Sequence, residues 1–146
     1  VKELALLKAN DIAMQIKQKN AVVIGADTVV AYDGKILGKP KTKEEAFEMI
    51  HSFQGDKHQV YTGIAIIEFN ENGNKKLTNE AVKTDVYVNT MSPEEIWAYI
   101  ERDNVLDKAG SYGIQSGFAC HIEKIEGDYF NVVGLPISRI YEALKK

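Results

Sequence analysis

The segment "AVVIGADTVVAYDGKILGKP", residues 21–40, decides the fold of this chain. Its β-branched run predicts a buried strand, and the "DGK" that follows predicts a tight turn that returns the chain alongside that strand. Asp27 interrupts the apolar run in the middle of the predicted strand. Because burying an ionised carboxylate without a partner costs several kcal/mol, we expect Asp27 to meet a cation or a set of hydrogen-bond donors, or to have a chemical task.

Two interpretations of Asp27 are open from the residues alone. In the first, its carboxylate satisfies nearby backbone N–H groups, as in a turn. In the second, it holds a divalent cation or takes a proton from water at the mouth of the strand. Lys39 in "GKP" favours the second, because the turn would return its ammonium toward Asp27, and such a pair beside glycine-rich backbone suits phosphate and metal chemistry. A lysine before a proline, taken alone, is usually a surface residue.

The composition excludes several classes of protein. The 146 residues are enough to bury a core and predict one soluble domain over residues 1–146. A net charge of -3 argues against a nucleic-acid surface, which needs clustered cations. The single cysteine, Cys120, excludes an intramolecular disulfide and fits a reducing cytoplasm. No apolar run approaches the roughly 20 residues of a membrane span, so no membrane partner is expected.

Helix signals occur in four places. Leu4, Leu7, Ile12 and Ile16 recur at near-helical spacing and predict an amphipathic helix over residues 2–19. Because the chain has no initiator Met and starts inside this predicted helix, we expect a fragment or a processed chain.

Capping residues predict the other three helices. Thr42 and Glu45 make a capping box for a helix that runs to about Phe53, and Ser92 opens "PEEIWAYIER" in the same way. Pro136 opens the C-terminal segment "LPISRIYEALKK".

The remaining segments predict strands and one glycine-rich loop. Residues 58–70 and 75–89 read as two long antiparallel strands joined by "ENGN". Residues 107–119, "DKAGSYGIQSGFA", contain too many glycines for a helix and predict a loop, whereas residues 120–134 read as strands. The resulting fold class is α/β, with helices flanking a mixed sheet.

Other chemistry-bearing residues give weaker signals. We interpret Cys120 as a small core residue, and its neighbour His121 would point to the opposite face of a strand, so the two cannot pair. His51 and His58 are interpreted as surface or capped histidines. The glycines of "GKILGKP" and "GSYGIQSG" match neither a P-loop nor a dinucleotide fingerprint.

Six short motifs recur in a fixed order along the whole chain. They are "LALLKA" at 4–9, "IGADTVV" at 24–30, "LGKP" at 37–40, "HQVYTG" at 58–63, "DKAGSYGIQ" at 107–115 and "VVGLP" at 132–136. In this order they resemble the Maf family of nucleoside-triphosphate pyrophosphatases. The resemblance implies a cytoplasmic enzyme that cleaves a nucleoside triphosphate between its α and β phosphates, releasing the monophosphate and pyrophosphate with the help of Mg²⁺ or Mn²⁺.

The resemblance also assigns roles to the phosphate end of the site. It implies that Asp27 is the catalytic carboxylate and a metal ligand, and that Lys39 acts with it against the triphosphate. Lys8 and Lys108 match further positions that contact the triphosphate.

For the base, Thr28 and Gln115 match positions that mark the subgroup acting on dTTP and UTP. A glutamine offers both a donor and an acceptor, which suits the edge of a pyrimidine. The fold implied is the elongated α/β fold of the inosine-triphosphate pyrophosphatases, with substrate in a central cleft between two lobes. An enzyme of this size could also form a homodimer.

Two departures from the family pattern keep alternatives open. The family's S-x-S-P-R-R segment and the Glu that follows it do not occur in these residues, so we expect the N-terminal part of the family domain to be missing, and little hydrolysis if it is truly absent. "GIQSG" also replaces the usual "GIQG". The alternative is a catalytically impaired, nucleotide-binding regulator of septum formation. A phosphatase with an aspartyl nucleophile is disfavoured, because Val29 stands where that chemistry needs a second Asp.

Overall fold

Five strands form one open sheet in a computed structural model that describes residues 1–16 and 20–145. The strands are β1 (Val22–Tyr32), β2 (Lys35–Leu37), β3 (Lys57–Phe69), β4 (Lys75–Val88) and β5 (Ile122–Glu126), in the order β2-β1-β3-β4-β5. Asp33 and Gly34 form the predicted turn between β1 and β2, and both have the positive φ that a two-residue hairpin needs. All neighbouring strands are antiparallel, where the sequence predicted a mixed sheet. Short turns join β1 to β2 and β3 to β4 as hairpins, whereas longer connections that contain helices join the other two neighbouring pairs.

Five helices flank this sheet, which confirms the expected α/β class. They are α1 (Lys2–Ile16), α2 (Lys43–Phe53), α3 (Pro93–Arg102), α4 (Tyr129–Val133) and α5 (Ile137–Leu144). Both predicted N-caps are present, since Thr42 and Ser92 accept hydrogen bonds from the amides three residues on. The full capping box forms only at Ser92, whose amide donates to the Glu95 carboxylate, whereas Thr42 has the first of the two bonds alone. None of the helices in the described part of the chain has both the length and the apolar character needed to cross a bilayer.

Helix α1 packs on one face of the sheet through alanines. Ala5, Ala9 and Ala13 are buried against the sheet, whereas the leucines and isoleucines expected to pack there are exposed: Leu4, Leu7, Ile12 and Ile16. The reason is close approach, because a Cβ at Gly25 of β1 would lie 2.8 Å from the Ala9 nitrogen and closer still to the Ala5 carbonyl oxygen. Residues 17–19 of the predicted helix lie outside the described residues.

The opposite face of the sheet carries two groups of buried residues. At one end, α2, α3 and the loop after α3 enclose a core that includes Phe53, Tyr99 and Phe118. Toward the other end, Ile140 of α5 packs on Ile64 and Ile66 of β3. A cleft between these two groups therefore lies above the middle of β1 and β3.

One predicted strand is in part a helix. Of residues 120–134, only Ile122–Glu126 form a strand, and Tyr129–Val133 form α4. The Asp128 carboxylate accepts a hydrogen bond from the Phe130 amide at 2.8 Å, so a side-chain cap starts this short helix within an apparently strand-like sequence.

Two other interpretations of single residues were wrong. Cys120 is exposed and lies with His121 in a 3-10 turn (Gly117–His121) rather than in a strand, so the core placement and the strand argument both fail. His58 is fully buried, because its side chain points from β3 toward Phe53 of α2.

Candidate active site

A cavity of about 490 Å³ opens in the cleft above β1 and β3. Its walls come from β1, β3, α4, the residues after β2 and the glycine-rich loop at 107–116. Four of the six predicted site residues line it together: Thr28, Lys39, Lys108 and Gln115. Segments that are distant in the sequence thus converge on one space of the size that a small ligand occupies.

The hairpin of β1 and β2 determines where Lys39 lies. Val30 pairs with Leu37, so the continuing chain brings Lys39 beside Thr28 and onto the cavity face. The Gly38 carbonyl accepts a hydrogen bond from the Gly110 amide at 3.1 Å, which ties this segment to the glycine-rich loop.

The glycine-rich loop is folded tightly against itself. Gly110 and Ser111 are buried and both have φ near +70°, a conformation that favours glycine and is unusual for serine. A Cβ at Gly113 would lie 3.0 Å from the Lys108 side chain, so the bare backbone there leaves room for that lysine. The Lys108 ammonium lies 3.5 Å from the Asp107 carboxylate at the cavity rim.

A network of hydrogen-bonded side chains extends from Thr28, which lines the cavity, into the core. The Thr28 and Thr62 hydroxyl oxygens are 2.9 Å apart, and Thr62 donates to the Asn131 carbonyl at 3.1 Å. The Asn131 side-chain amide donates to the Val60 carbonyl at 3.2 Å and to the Thr84 hydroxyl at 2.9 Å. Helix α4 is thus fixed to β3 and β4 by hydrogen bonds inside the core.

Asp27 and Lys8 lie on the other face of β1. The Lys8 ammonium is 3.5 Å from Asp27 Oδ1 and donates to the Ala26 carbonyl at 3.0 Å. The expected partner, Lys39, lines the cavity with Thr28 and makes no ion pair with Asp27 in the described part of the chain. The prediction that Lys39 is the lysine that approaches Asp27 was therefore wrong, because that lysine is Lys8.

Asp27 and Thr28 belong to a part of β1 that has one partner strand among residues 1–16 and 20–145. There β1 pairs with β3 from Val22 to Ala31, whereas it pairs with β2 only from Val30 to Tyr32.

Asp27 is suited to a divalent cation. Its Oδ2 atom is buried and has no hydrogen-bond partner in the described part of the chain, and carboxylate oxygen is the ligand that Mg²⁺ and Mn²⁺ prefer. No three His, Cys, Asp or Glu side chains of residues 1–16 and 20–145 are grouped as a complete metal site. A cation held by one carboxylate takes its other ligands from water and substrate phosphates.

A profile of Maf-like proteins matches residues 1–146, the whole of this sequence. The chain belongs to the Maf-like protein family. This confirms the resemblance carried by the six motifs.

Curated relatives of this Maf-like chain include three bacterial proteins named dTTP/UTP pyrophosphatase. The protein of Lachnoclostridium phytofermentans is 44% identical over all of this chain and 74% of its own length. That of Thermoanaerobacter sp. is 46% identical over the same shares. That of Caldanaerobacter subterraneus subsp. tengcongensis is 47% identical over all of this chain and 69% of its own length.

Sequence reasoning missed a buried pair behind the cavity of this Maf-like chain. His58 Nε2 and the Tyr112 hydroxyl oxygen are 2.6 Å apart, and Tyr112 also lines the cavity. Burial lowers the pKa of His58 to about 4 and raises the pKa of Tyr112. The burial of His58 could have been predicted from its position, because His58, Val60 and Thr62 are alternate residues of an apolar strand and therefore share one face.

Proposed function

We propose that this Maf-like chain hydrolyses dTTP and UTP to the corresponding monophosphate and pyrophosphate. The observation that carries the proposal is the convergence of Thr28, Lys39, Lys108 and Gln115 on one cavity, next to the edge where Asp27 pairs with Lys8. The names of the curated relatives support the same substrates.

The triphosphate is proposed to bind at the rim of the cavity, near three lysine side chains. Hydrolysis moves negative charge onto the pyrophosphate leaving group, and preorganised cations lower the barrier to that shift. Lys39 and Lys108 offer ammonium groups from the cavity side, and Lys8 offers a third from the α1 side of the same strand edge.

Asp27 is the group proposed to act on water. The Oδ1 atom, which lies near Lys8, is proposed to orient a water molecule and accept its proton. The Oδ2 atom has no partner in the described residues and is proposed to hold a divalent cation, which would neutralise charge on the phosphate oxygens.

The inner part of the cavity is proposed to hold the base. Val30, Val60 and Ile114 supply apolar surface for the faces of a pyrimidine ring. Gln115 and Thr28 supply polar groups for its edge. A base whose edge does not match leaves these groups unpaired, and this mismatch is the basis for selectivity.

The test is pyrophosphate release from dTTP, UTP, CTP, ATP and GTP, measured with Mg²⁺ and with Mn²⁺ on this chain and on a version that carries the family's S-x-S-P-R-R segment in front of it. We expect release from dTTP and UTP, and a loss of at least about 100-fold in kcat for Asp27→Asn, because general-base contributions are typically of that size. Asp33→Asn is the matched control, since it removes the same charge from the exposed turn after β1, where Asn also tolerates positive φ.

Three results would count against the proposal. Wild-type turnover in Asp27→Asn would remove Asp27 from its role. An equal loss in Asp33→Asn would mean that net charge rather than the site matters. Binding of dTTP without turnover, measured by calorimetry, would support a nucleotide-binding regulator instead.

A further inference from the structure

Thr62 is a fully buried residue whose hydroxyl has two neighbours within hydrogen-bond distance. These neighbours are the Thr28 hydroxyl oxygen at 2.9 Å and the Asn131 carbonyl oxygen at 3.1 Å. Thr62 belongs to β3 and lies directly opposite Thr28 of β1 in the strand register. No predicted role in the site includes it.

Proton counting determines the direction of these bonds. A hydroxyl has one proton to donate and two lone pairs, whereas a carbonyl oxygen can only accept. If Thr62 donated to Thr28, its oxygen would face the Asn131 carbonyl oxygen at 3.1 Å with no proton between them. Thr62 therefore donates to Asn131, and the short contact with Thr28 requires that Thr28 donates to Thr62.

This direction determines what Thr28 offers to a ligand. Its only proton is used inside the protein, because the alternative acceptor, the Gly134 carbonyl, is farther away at 3.5 Å. Thr28 also lines the cavity. A hydroxyl whose proton is used in this way can accept a hydrogen bond from a ligand there but cannot donate one.

We propose that Thr62 is a positioning residue that fixes Thr28 as a hydrogen-bond acceptor, so that the cavity selects a pyrimidine whose edge carries an N–H donor at N3. Uracil and thymine have this N–H, whereas cytosine has a bare acceptor nitrogen at the same position. The inference rests on the proposed function, since it specifies how that site distinguishes bases. Hydrogen bonds in a chain strengthen one another, which favours a single proton direction.

The asparagine of α4 completes the arrangement. Asn131 is fully buried, and its side chain is fixed by the Val60 carbonyl and by the Thr84 hydroxyl. These bonds fix α4 over the strands and hold the Asn131 carbonyl where Thr62 needs an acceptor. Thr84 thus acts on Thr62 only through Asn131 and α4.

The experiment compares UTP with CTP in wild type, Thr62→Val and Thr62→Ser. In Thr62→Val the shape is kept but the acceptor for Thr28 is lost, so the Thr28 hydroxyl turns and can donate to the Gly134 carbonyl or to the ligand. We expect the UTP-over-CTP ratio of kcat/KM to fall about tenfold, the size of one hydrogen bond. Thr62→Ser keeps the hydroxyl and should keep the ratio, which makes it the matched control.

Two readouts separate this inference from the proposed function. The same ratio is measured without turnover, as the dissociation constants of UMP and CMP by calorimetry. A wild-type protein that binds UMP over CMP but releases no pyrophosphate would overturn the proposed function and leave the inference standing. An unchanged ratio in Thr62→Val, or an equal fall in Thr62→Ser, would overturn the inference. If Thr62→Val does not fold, Thr62→Ala removes the same hydroxyl and takes its place.

Discussion

His58 Nε2 and the Tyr112 hydroxyl oxygen lie 2.6 Å apart, with both rings buried between the sheet and the glycine-rich loop. This contact joins the strand that forms the cavity floor to the loop that carries Lys108 and Gln115. The geometry of the loop therefore depends on an imidazole that must stay uncharged.

His58 makes folding stability sensitive to acid. Its pKa is about 4 in the folded chain and near 6.5 when unfolded, so the unfolded state binds the proton more tightly. Stability from this group is complete above pH 6.5 and is lost as the pH falls toward 4, by roughly 3 kcal/mol in all. The free energy of unfolding, measured in urea at pH 7 and pH 4.5, should differ less between the two pH values in His58→Gln than in wild type. His51→Gln, on the exposed side of α2, should show the wild-type difference, and the same difference in all three proteins would contradict the prediction.

Gly25→Ala should destabilise the chain through backbone contact. The added methyl group would meet the Ala5 carbonyl and the Ala9 nitrogen of α1, and we expect a loss of at least about 2 kcal/mol in the free energy of unfolding. Gly38→Ala is the control for stability, since a Cβ there meets no atom within 4 Å. Urea unfolding measures both, and similar values for the two variants would show that α1 does not need the bare backbone.

Lys8→Gln should reduce activity far more than stability. The ion pair with Asp27 involves a half-exposed lysine, so its loss should cost less than about 1 kcal/mol of folding free energy. Loss of its charge near the reacting phosphates should lower kcat/KM for dTTP at least about tenfold. Lys43→Gln removes a comparable surface pair with Glu101 and should leave kcat/KM unchanged. A Lys8→Gln protein with wild-type kinetics would remove Lys8 from the site.

Lys39→Met should weaken binding of the triphosphate. The substitution keeps the length of the side chain and removes its charge at the cavity, so we expect KM for UTP to rise about tenfold at low salt and by less at high salt, where charges are screened. Lys41→Met, two residues away and exposed, tests whether any nearby positive charge has the same effect. An equal rise in both variants would be evidence for general attraction rather than a site.

Local signals predicted most of the fold. The caps at Thr42 and Ser92 and the turn at Asp33 and Gly34 depend on neighbouring residues, so the sequence predicted them where they occur. The sequence did not predict helix α4. Its start depends on the Asp128 carboxylate and its position on the buried side-chain amide of Asn131, and these two single contacts leave no helical spacing of apolar residues in the sequence.

Features that depend on packing partners were harder to predict. The prediction of which face of α1 is buried was wrong. The helix backbone lies so close to Gly25 of β1 that only small side chains such as alanine fit at the contact, and the spacing of apolar residues in the helix does not reveal this. The predicted approach of Lys39 to Asp27 was wrong, because Lys39 lies on the side of the sheet that Thr28 faces, opposite to Asp27. Lys39 and Thr28 line one cavity with two of the other site residues predicted from the family motifs, so four of those six residues lie together.

Two adjacent residues of strand β3, Thr62 and Gly63, point to opposite faces of the sheet and serve a different contact on each. Thr62 lies on the cavity side of the sheet, next to Thr28, and the next residue, Gly63, provides the bare backbone against which the start of α1 packs. If β3 paired with its neighbours one residue out of step, the threonine would lie under the helix and the glycine on the cavity side. Both the helix contact and the hydrogen bonds of Thr62 would then be lost, so a misregistered chain is expected to be much less stable than the native one.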